Sequence, residues 1–288
     1  MNILVLGSNS FLANEFIKYY IKNKDDIYAI SRKKNKHINN QNYINYYDIE
    51  NQIYKIQNIH FDLVLNFISQ KFIKKILLNN NLSALFILIP YLKKIKINKI
   101  IFFSSISVYE NLKIENINTE SITKPQSIYA NNKLFEENLI INLQNDMVYN
   151  ILRIPMVIGD NMKTKIFSYL KFFLKYKLFL IIHNPYCVIN YISIDKLIFY
   201  INNDLMKIKE NKIINLSHNI TFNEIYKLKN IKIKKRFFNT LFKNFIRIFV
   251  FINFFNESYK FLYNKKIISS NKIFKNNDNK NEFTSFLG

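Results

Sequence analysis

A tyrosine followed four residues later by a lysine can do proton chemistry when both lie on one helix, because side chains at i and i+4 share a face. Three pairs have that spacing: Tyr20/Lys24, Tyr109/Lys113 and Tyr129/Lys133. A chain with 19 Tyr and 38 Lys in 288 residues yields about this many by chance, so context must choose. Tyr20/Lys24 falls at the end of a helical stretch without a serine partner. Tyr109/Lys113 directly follows a strand-like run, with no helix for the pair to share. Tyr129/Lys133 lies in a helical pattern over 127–142. The buried-strand pattern before it, KIIFFSS at 99–105, delivers Ser104 and Ser105 to its C-terminal end, where open α/β sheets place their chemistry. A tyrosine so placed can donate or accept a proton at a substrate oxygen. A free tyrosine releases its proton near pH 10, far from neutrality. The positive charge of Lys133, one turn away, favours the phenolate. Ser104 or Ser105 could bond a substrate oxygen and fix its position.

A second constellation lies at the N-terminus. Gly7-Ser8-Asn9-Ser10-Phe11-Leu12-Ala13 joins the strand-like NILVL to a helical stretch, the setting of a dinucleotide-binding turn. Gly7 serves the tight turn, and Ala13 still permits close helix–strand packing. Ser10 replaces the middle glycine; its hydroxyl could cap the helix or bond a phosphate oxygen. Only three glycines remain in the chain, one of them terminal, and Gly7 and Gly159 both stand in motifs. Survivors of a nearly lost residue type are expected where the backbone needs them. The second strand ends on Ser31 and Arg32 without the acidic residue that binds the ribose of NAD, which favours NADP over NAD. Asp48, after the third strand, is an expected contact to the adenine. The expected cofactor residues are therefore Gly7, Ser10, Phe11, Leu12, Ser31, Arg32 and Asp48, with Tyr129 and Lys133 at the nicotinamide end.

These residues need elements to position them. Short β-branched runs at 2–7, 27–31, 43–47, 62–68, 99–105 and 148–154 alternate with helical stretches at 10–22, 72–94 (interrupted at Pro90) and 127–142. That alternation implies right-handed crossovers and a parallel sheet covered on both faces. Strand-like runs return at 188–194 and 212–217. The expected fold is α/β, a Rossmann-type doubly wound parallel sheet with a smaller, mainly helical C-terminal substrate region. The cofactor domain would span 1–155, with 186–217 returning to it, and the substrate region 156–288. The polar stretch 276–282 reads as a loop.

Composition narrows the function classes. The net charge of +22 invites a nucleic-acid reading. However, it comes from 38 Lys and only four Arg, whereas planar recognition of phosphate and guanine favours Arg. Lys, Asn, Ile, Phe and Tyr are swollen together, and their A/T-rich codons account for the charge through genome drift, so no nucleic-acid partner is expected. A single cysteine, Cys187, excludes an internal disulfide and a thiolate-rich metal site. The four histidines lack metal-ligand spacing, so no metal is expected. The N-terminus has no basic, apolar signal pattern, and a cytoplasmic location is expected. The apolar stretch 237–255 carries Asn239, Lys243, Asn244, Arg247 and Asn253. It reads as an amphipathic helix packing the core, with peripheral membrane contact the minority reading and no transmembrane span.

In order along the chain, these motifs resemble the extended short-chain dehydrogenase/reductases, the NAD(P)-dependent nucleotide-sugar epimerase/dehydratase/reductase family. FFSSISVYE (102–110) resembles that family's strand-end serine motif, and alignment on Val108-Tyr109 puts the catalytic serine at Ser105. TESITKPQSIYANNKLFEE (119–137) resembles its Glu…Pro-x-x-x-Tyr-x-x-x-Lys…Glu block. ILRIPMVIGDN (151–161) resembles its Arg-x-x-x-x-x-Gly segment, INYISIDKL (189–197) a later strand-to-helix element, and INLSHNITFNEI (214–225) the strand that follows. The similarity covers roughly 1–225, with a weaker match at 267–275. It implies an enzyme with the catalytic trio Ser105, Tyr129 and Lys133, a nucleotide-sugar substrate and a role in surface polysaccharide synthesis; a homodimer stays open. Where 4,6-dehydratases carry an Asp-Glu pair, Ile106-Ser107 stand, which argues against dehydration. Met156 stands where UDP-galactose-type epimerases carry an Asn. The implied reaction is reduction of a 4-keto-6-deoxy sugar nucleotide; a 4-epimerase is the runner-up and a non-catalytic cofactor-binding relative a further alternative.

Overall fold

The structure is a computed structural model that describes residues 1–68, 84–143, 146–160, 188–230 and 267–268. The chain divides into two compact units. The first comprises Met1–Leu112, Thr119–Pro155 and Ile194–Asn215, and the second Lys113–Asn118, Met156–Ser193 and Leu216–Gly288.

In chain order the strands are β1 Asn2–Leu6, β2 Asp26–Ser31, β3 Tyr43–Asn45, β4 His60–Phe61, β5 Leu63–Asn66, β6 Lys96–Ile97 and β7 Lys99–Ser105. They continue with β8 Asn116–Ile117, β9 Val148–Ile154, β10 Met156–Ile158, β11 Val188–Ser193, β12 Lys212–Asn215, β13 His218–Thr221 and β14 Ile267–Ile268. The helices are α1 Phe11–Lys22, α2 Ile49–Gln52, α3 Ala84–Leu92, α4 Ile128–Ile141, α5 Ile194–Asn203 and α6 Phe222–Leu228.

The first unit holds a seven-stranded sheet in the order β12-β9-β7-β5-β1-β2-β3, every pair parallel. The order reverses at β1, so the crossovers leave helices on both faces. Strands covered on both faces carry unbroken apolar runs, which is why β1 reads NILVL and β7 reads KIIFFSS. Leu4, Leu6, Val64, Ile100, Phe102 and Ile151 join one buried cluster with Leu85, Leu88 and Leu92 of α3 and Ile140 of α4. By strand alternation, Phe103 falls on the other face, where it packs with Phe67 and with Phe16 of α1. This sheet bears out the Rossmann-type expectation in element order and strand placement.

Two local departures have simple causes. The third strand stops at Asn45, whose side chain accepts from Tyr47 N and turns the chain into a 3₁₀ turn. Pro90 does not break α3, which runs two residues past it; so near the end of the helix, the missing N–H costs a single bond of the last turn.

The second unit contains a three-stranded sheet in the order β10-β11-β13 and the parallel pair β14-β8. Here α6 opens on a reciprocal cap, Thr221 accepting from Glu224 N while Glu224 accepts from Thr221 N. The expected helical stretch within 72–83, the amphipathic stretch 237–255 and the loop 276–282 lie outside the described residues. Among the described residues no helix is long and apolar enough to cross a membrane.

Candidate active site

The site is built at the C-terminal ends of β1, β5 and β7. Register sets Leu6 beside Asn66 and Asn66 beside Phe102, so β7 runs three residues further, to Ser105.

At the end of β1, Gly7 has φ +79°, and an added Cβ would lie 3.2 Å from both the Ile68 nitrogen and the Phe67 carbonyl carbon. Both backbone angle and space therefore require glycine here. Ser10 is the N-cap of α1, accepting from Ala13 N at 3.1 Å. The structure thus shows the capping role of its hydroxyl. The first-turn amides of Phe11 and Leu12 have no acceptor within the helix, and α1 presents them at its positive end, which suits a phosphate. The buried Asn66 Nδ2 has no partner among the described residues. A turn that only glycine fits, the amides that open α1 and a strand-end amide with no partner among the described residues all fit a dinucleotide cofactor.

The turn has supports that were not apparent from the sequence. Asn35, 1% exposed, donates to Ser8 O at 2.6 Å and to Asn14 Oδ1 at 2.8 Å. Ser31 is also buried: its hydroxyl meets Ser8 Oγ at 2.8 Å and donates to Lys33 O at 2.6 Å. Ser31 therefore fastens β2 to the turn, whereas Arg32 is exposed. Asp48 accepts from Asn51 at 2.7 Å and from Gln52 at 2.6 Å. Those hydrogen bonds hold its carboxyl below the usual range.

Ser105 closes β7 and caps the 3₁₀ turn Ile106–Tyr109. Its oxygen accepts from Ser107 N at 3.2 Å and from Ser107 Oγ at 2.9 Å. Both lone pairs are engaged, so the hydroxyl proton is what Ser105 has left to offer. Ser127 caps α4, accepting from Ala130 N at 3.1 Å. Glu110 fixes that cap, accepting from Ser127 N at 2.8 Å and from Ser127 Oγ at 2.9 Å. Tyr129, half-buried, stands in the first turn of α4, and Lys133 follows one turn later on the same face. Lys133 is 2% exposed. Its ammonium donates to Ile68 O at 2.8 Å, lies 3.2 Å from Glu136 Oε2 and sits 4.6 Å from the centre of the Phe102 ring. The structure thus brings Gly7 and Lys133 to the same residue, Ile68, by way of its nitrogen and its carbonyl.

Behind Ser105 runs a buried polar chain. Ser104 donates to Glu137 Oε1. Arg153 of β9 grips the same carboxylate through Nε at 3.0 Å and Nη2 at 2.7 Å, and donates through Nη1 to the Tyr109 hydroxyl at 2.6 Å. Tyr109 in turn donates to Asn215 at 3.1 Å. Burial opposes the Arg153 charge, but hydrogen bonds and charge from Glu137 outweigh it and raise its proton affinity. The chain pins α4 to β7 and β9. Its Glu and Arg are motif members in the sequence, whereas Asn35 and Asn66 belong to no motif. Glu136 was visible as i+3 from Lys133 and i+7 from Tyr129, one face of a helix.

The other Tyr/Lys pairs differ. Tyr20 donates to Asn202 at 3.0 Å, and burial, reinforced by Tyr19 and Asp25, pushes its phenol well up. Lys24 lies past the end of α1 with φ +61°. The Tyr109 hydroxyl is enclosed in the Arg153 network. Among the described residues no group of three or more His, Cys, Asp or Glu side chains could hold a metal ion.

Residues 3–186 match the model of the NAD dependent epimerase/dehydratase family. No curated protein matches the chain in sequence. Among solved structures, it resembles the UDP-glucuronic acid 4-epimerase of Bacillus cereus in complex with NAD. That likeness has TM-score 0.63 and 21% identity over 79% of this chain and 82% of the other. It also resembles the UDP-glucose 4-epimerase of Thermotoga maritima with UDP-glucose, with TM-score 0.60 and 20% identity over 79% and 81%. A third is WbmG of Bordetella bronchiseptica in complex with NAD, with TM-score 0.61 and 14% identity over 79% and 76%. At these identities the likeness is one of fold.

Proposed function

Because the chain belongs to the NAD dependent epimerase/dehydratase family and is an enzyme of the short-chain dehydrogenase/reductase type, we propose that it is a nucleotide-sugar oxidoreductase that reduces a 4-keto-6-deoxy sugar nucleotide, of the kind used in surface polysaccharide synthesis. The observation that carries this reading is the placement of Ser105 at the end of β7, with Tyr129 and Lys133 on the helix packed against that strand. A bound nicotinamide supplies the hydride. Ser105, with both lone pairs taken by Ser107, would donate a hydrogen bond to the keto oxygen and orient it, keeping its own proton. Tyr129 delivers the proton that the new hydroxyl needs. Lys133 supplies positive charge beside Tyr129 and holds the nicotinamide ribose. Gly7, Ser10, Phe11 and Leu12 receive the pyrophosphate at the α1 N-terminus, and Asp48 contacts the adenine.

NADP is the proposed cofactor. The exposed Arg32 follows the end of β2, where it would meet a 2′-phosphate, and β2 ends without an acidic side chain. Ser31 supports this only through its backbone position, because its hydroxyl is occupied. NAD is the alternative, as both NAD complexes above share this fold.

A second reading, 4-epimerisation, is favoured by the structural neighbours: two of the three reported above are 4-epimerases by name. Stoichiometry separates the two. A reductase consumes one reduced cofactor per 4-keto sugar, whereas an epimerase interconverts two nucleotide sugars with no net cofactor consumption. Incubation with UDP- and dTDP-4-keto-6-deoxy sugars and NADPH, with cofactor and sugar followed together, decides between them. Interconversion of UDP-sugars without added reductant would replace the first reading with the second.

A further inference from the structure

Two acidic residues stand side by side in α4, and each is buried against a different cation. Glu137 is bound by Arg153, as described above. Glu136, 1% exposed, has Oε2 3.2 Å from the Lys133 ammonium. A buried ammonium is costly unless it is paired and hydrogen-bonded. Lys133 meets that demand with Glu136, with the Ile68 carbonyl at 2.8 Å and with the face of Phe102. Positions 129, 133 and 136 follow the i, i+4, i+7 spacing, so tyrosine, lysine and carboxylate line one face of the helix.

We propose that Glu136 is a positioning residue that acts through Lys133: it holds the ammonium on the Ile68 carbonyl, and its negative charge acts on proton transfer by the Tyr129/Lys133 pair. The proposal rests on the catalytic reading of that pair. A carboxylate favours the proton-bound form of both a lysine and a tyrosine beside it. Both effects have the same sign, so the expected direction does not depend on which of the two loses its proton first. Among the described residues, α3 carries one titratable group, Tyr91, which donates to Glu50 at 3.1 Å. On α4, Glu137 is neutralised by Arg153 from β9, and on β7 Phe102, Ser104 and Ser105 carry no charge. The 3₁₀ turn presents Tyr109, bonded to Arg153 and Asn215.

The test compares three full-length variants with the parent: Glu136→Gln and Glu136→Met, which remove the charge, and Glu136→Asp, which keeps it. The pH dependence of kcat for keto-sugar reduction and the pH dependence of NADPH affinity by fluorescence are measured for each. An opposite charge at this range shifts a titration by about 1–3 units. The alkaline limb of both profiles should therefore move to lower pH by about that much in the two neutral variants, and stay in place in Glu136→Asp. Neutral variants with lower kcat or lower Tm but unmoved limbs would reduce Glu136 to a packing residue and overturn the proposal. So would a Glu136→Asp profile displaced as far as that of Glu136→Gln. Tyr129→Phe separates this failure from that of the catalytic reading. Undiminished turnover in Tyr129→Phe strikes down the pair, and this proposal with it. Lost turnover there with unmoved Glu136→Gln limbs strikes down this proposal alone.

Discussion

Glu137→Gln is the perturbation that should tell most about what holds the site together. The substitution keeps the shape of the side chain and removes its charge, leaving the Arg153 guanidinium buried with the Tyr109 hydroxyl as its remaining strong partner. The side chains of Arg153 and Glu137 are 5% and 1% exposed, and their closest approach is 2.7 Å, so solvent can neither screen nor replace the pair. Removing one partner of a buried pair costs about 3–5 kcal/mol. Because Arg153 keeps Tyr109 and Gln keeps an acceptor for Ser104, the lower end applies, about 3 kcal/mol. In a unit of this size each kcal/mol lowers Tm by roughly 2–4 °C, so a fall of roughly 6–12 °C is expected. Urea unfolding should show a lower midpoint with an unchanged slope. Adding Arg153→Met removes the orphaned charge, so the double variant should be more stable than the sum of the singles predicts, by at least about 1 kcal/mol. A Glu137→Gln cost below about 1 kcal/mol, or strictly additive effects, would refute the claim that this pair fastens α4 to β7 and β9.

The remaining predictions concern the chemistry. Tyr129→Phe should lower kcat by roughly 10²–10⁴-fold, and adding Ser105→Ala should cost far less than the product of the single effects, because both serve one transition state; multiplicative losses would deny that they act together. Tyr109→Phe should cost about 1–3 kcal/mol of stability by removing the acceptor of Arg153 Nη1, yet like Tyr20→Phe it should leave more turnover per folded molecule than Tyr129→Phe; if Tyr109→Phe were the most damaging to kcat, the motif assignment would fall. Arg32→Asp should abolish or reverse a preference for NADPH over NADH measured by fluorescence titration, and equal affinities in the parent would dismiss Arg32 as the determinant.

The sheet was legible in the sequence because strands covered on both faces leave unbroken apolar runs, as in NILVL and KIIFFSS, and because Ser10 and Ser127 mark helix starts chemically. Choosing Tyr129/Lys133 over its two rivals needed only the helix and the serine strand next to it. The structure adds why the rivals are spent, since Tyr20 and Tyr109 have their hydroxyls enclosed by Asn202 and by Arg153 with Asn215. What the sequence could not reveal was partnership over long separations. Lys133 bonds a carbonyl 65 residues away, Tyr109 an asparagine 106 residues away, and Asn35 reaches back 27 residues to Ser8. No local pattern encodes those contacts; they exist because parallel strands bring distant ends level. Ser31, the last residue of β2, reads as a ligand contact from its position alone; the structure adds that its hydroxyl meets Ser8 and Lys33.

The measurement that bears most directly on the central claim is reduced-cofactor oxidation in the presence of a 4-keto-6-deoxy sugar nucleotide, run side by side on the parent protein and on Tyr129→Phe. The account predicts stoichiometric oxidation of NADPH with appearance of the 4-hydroxy sugar in the parent, and a rate lower by roughly 10²-fold or more in Tyr129→Phe while NADPH still binds. Equal rates in the two proteins would contradict it.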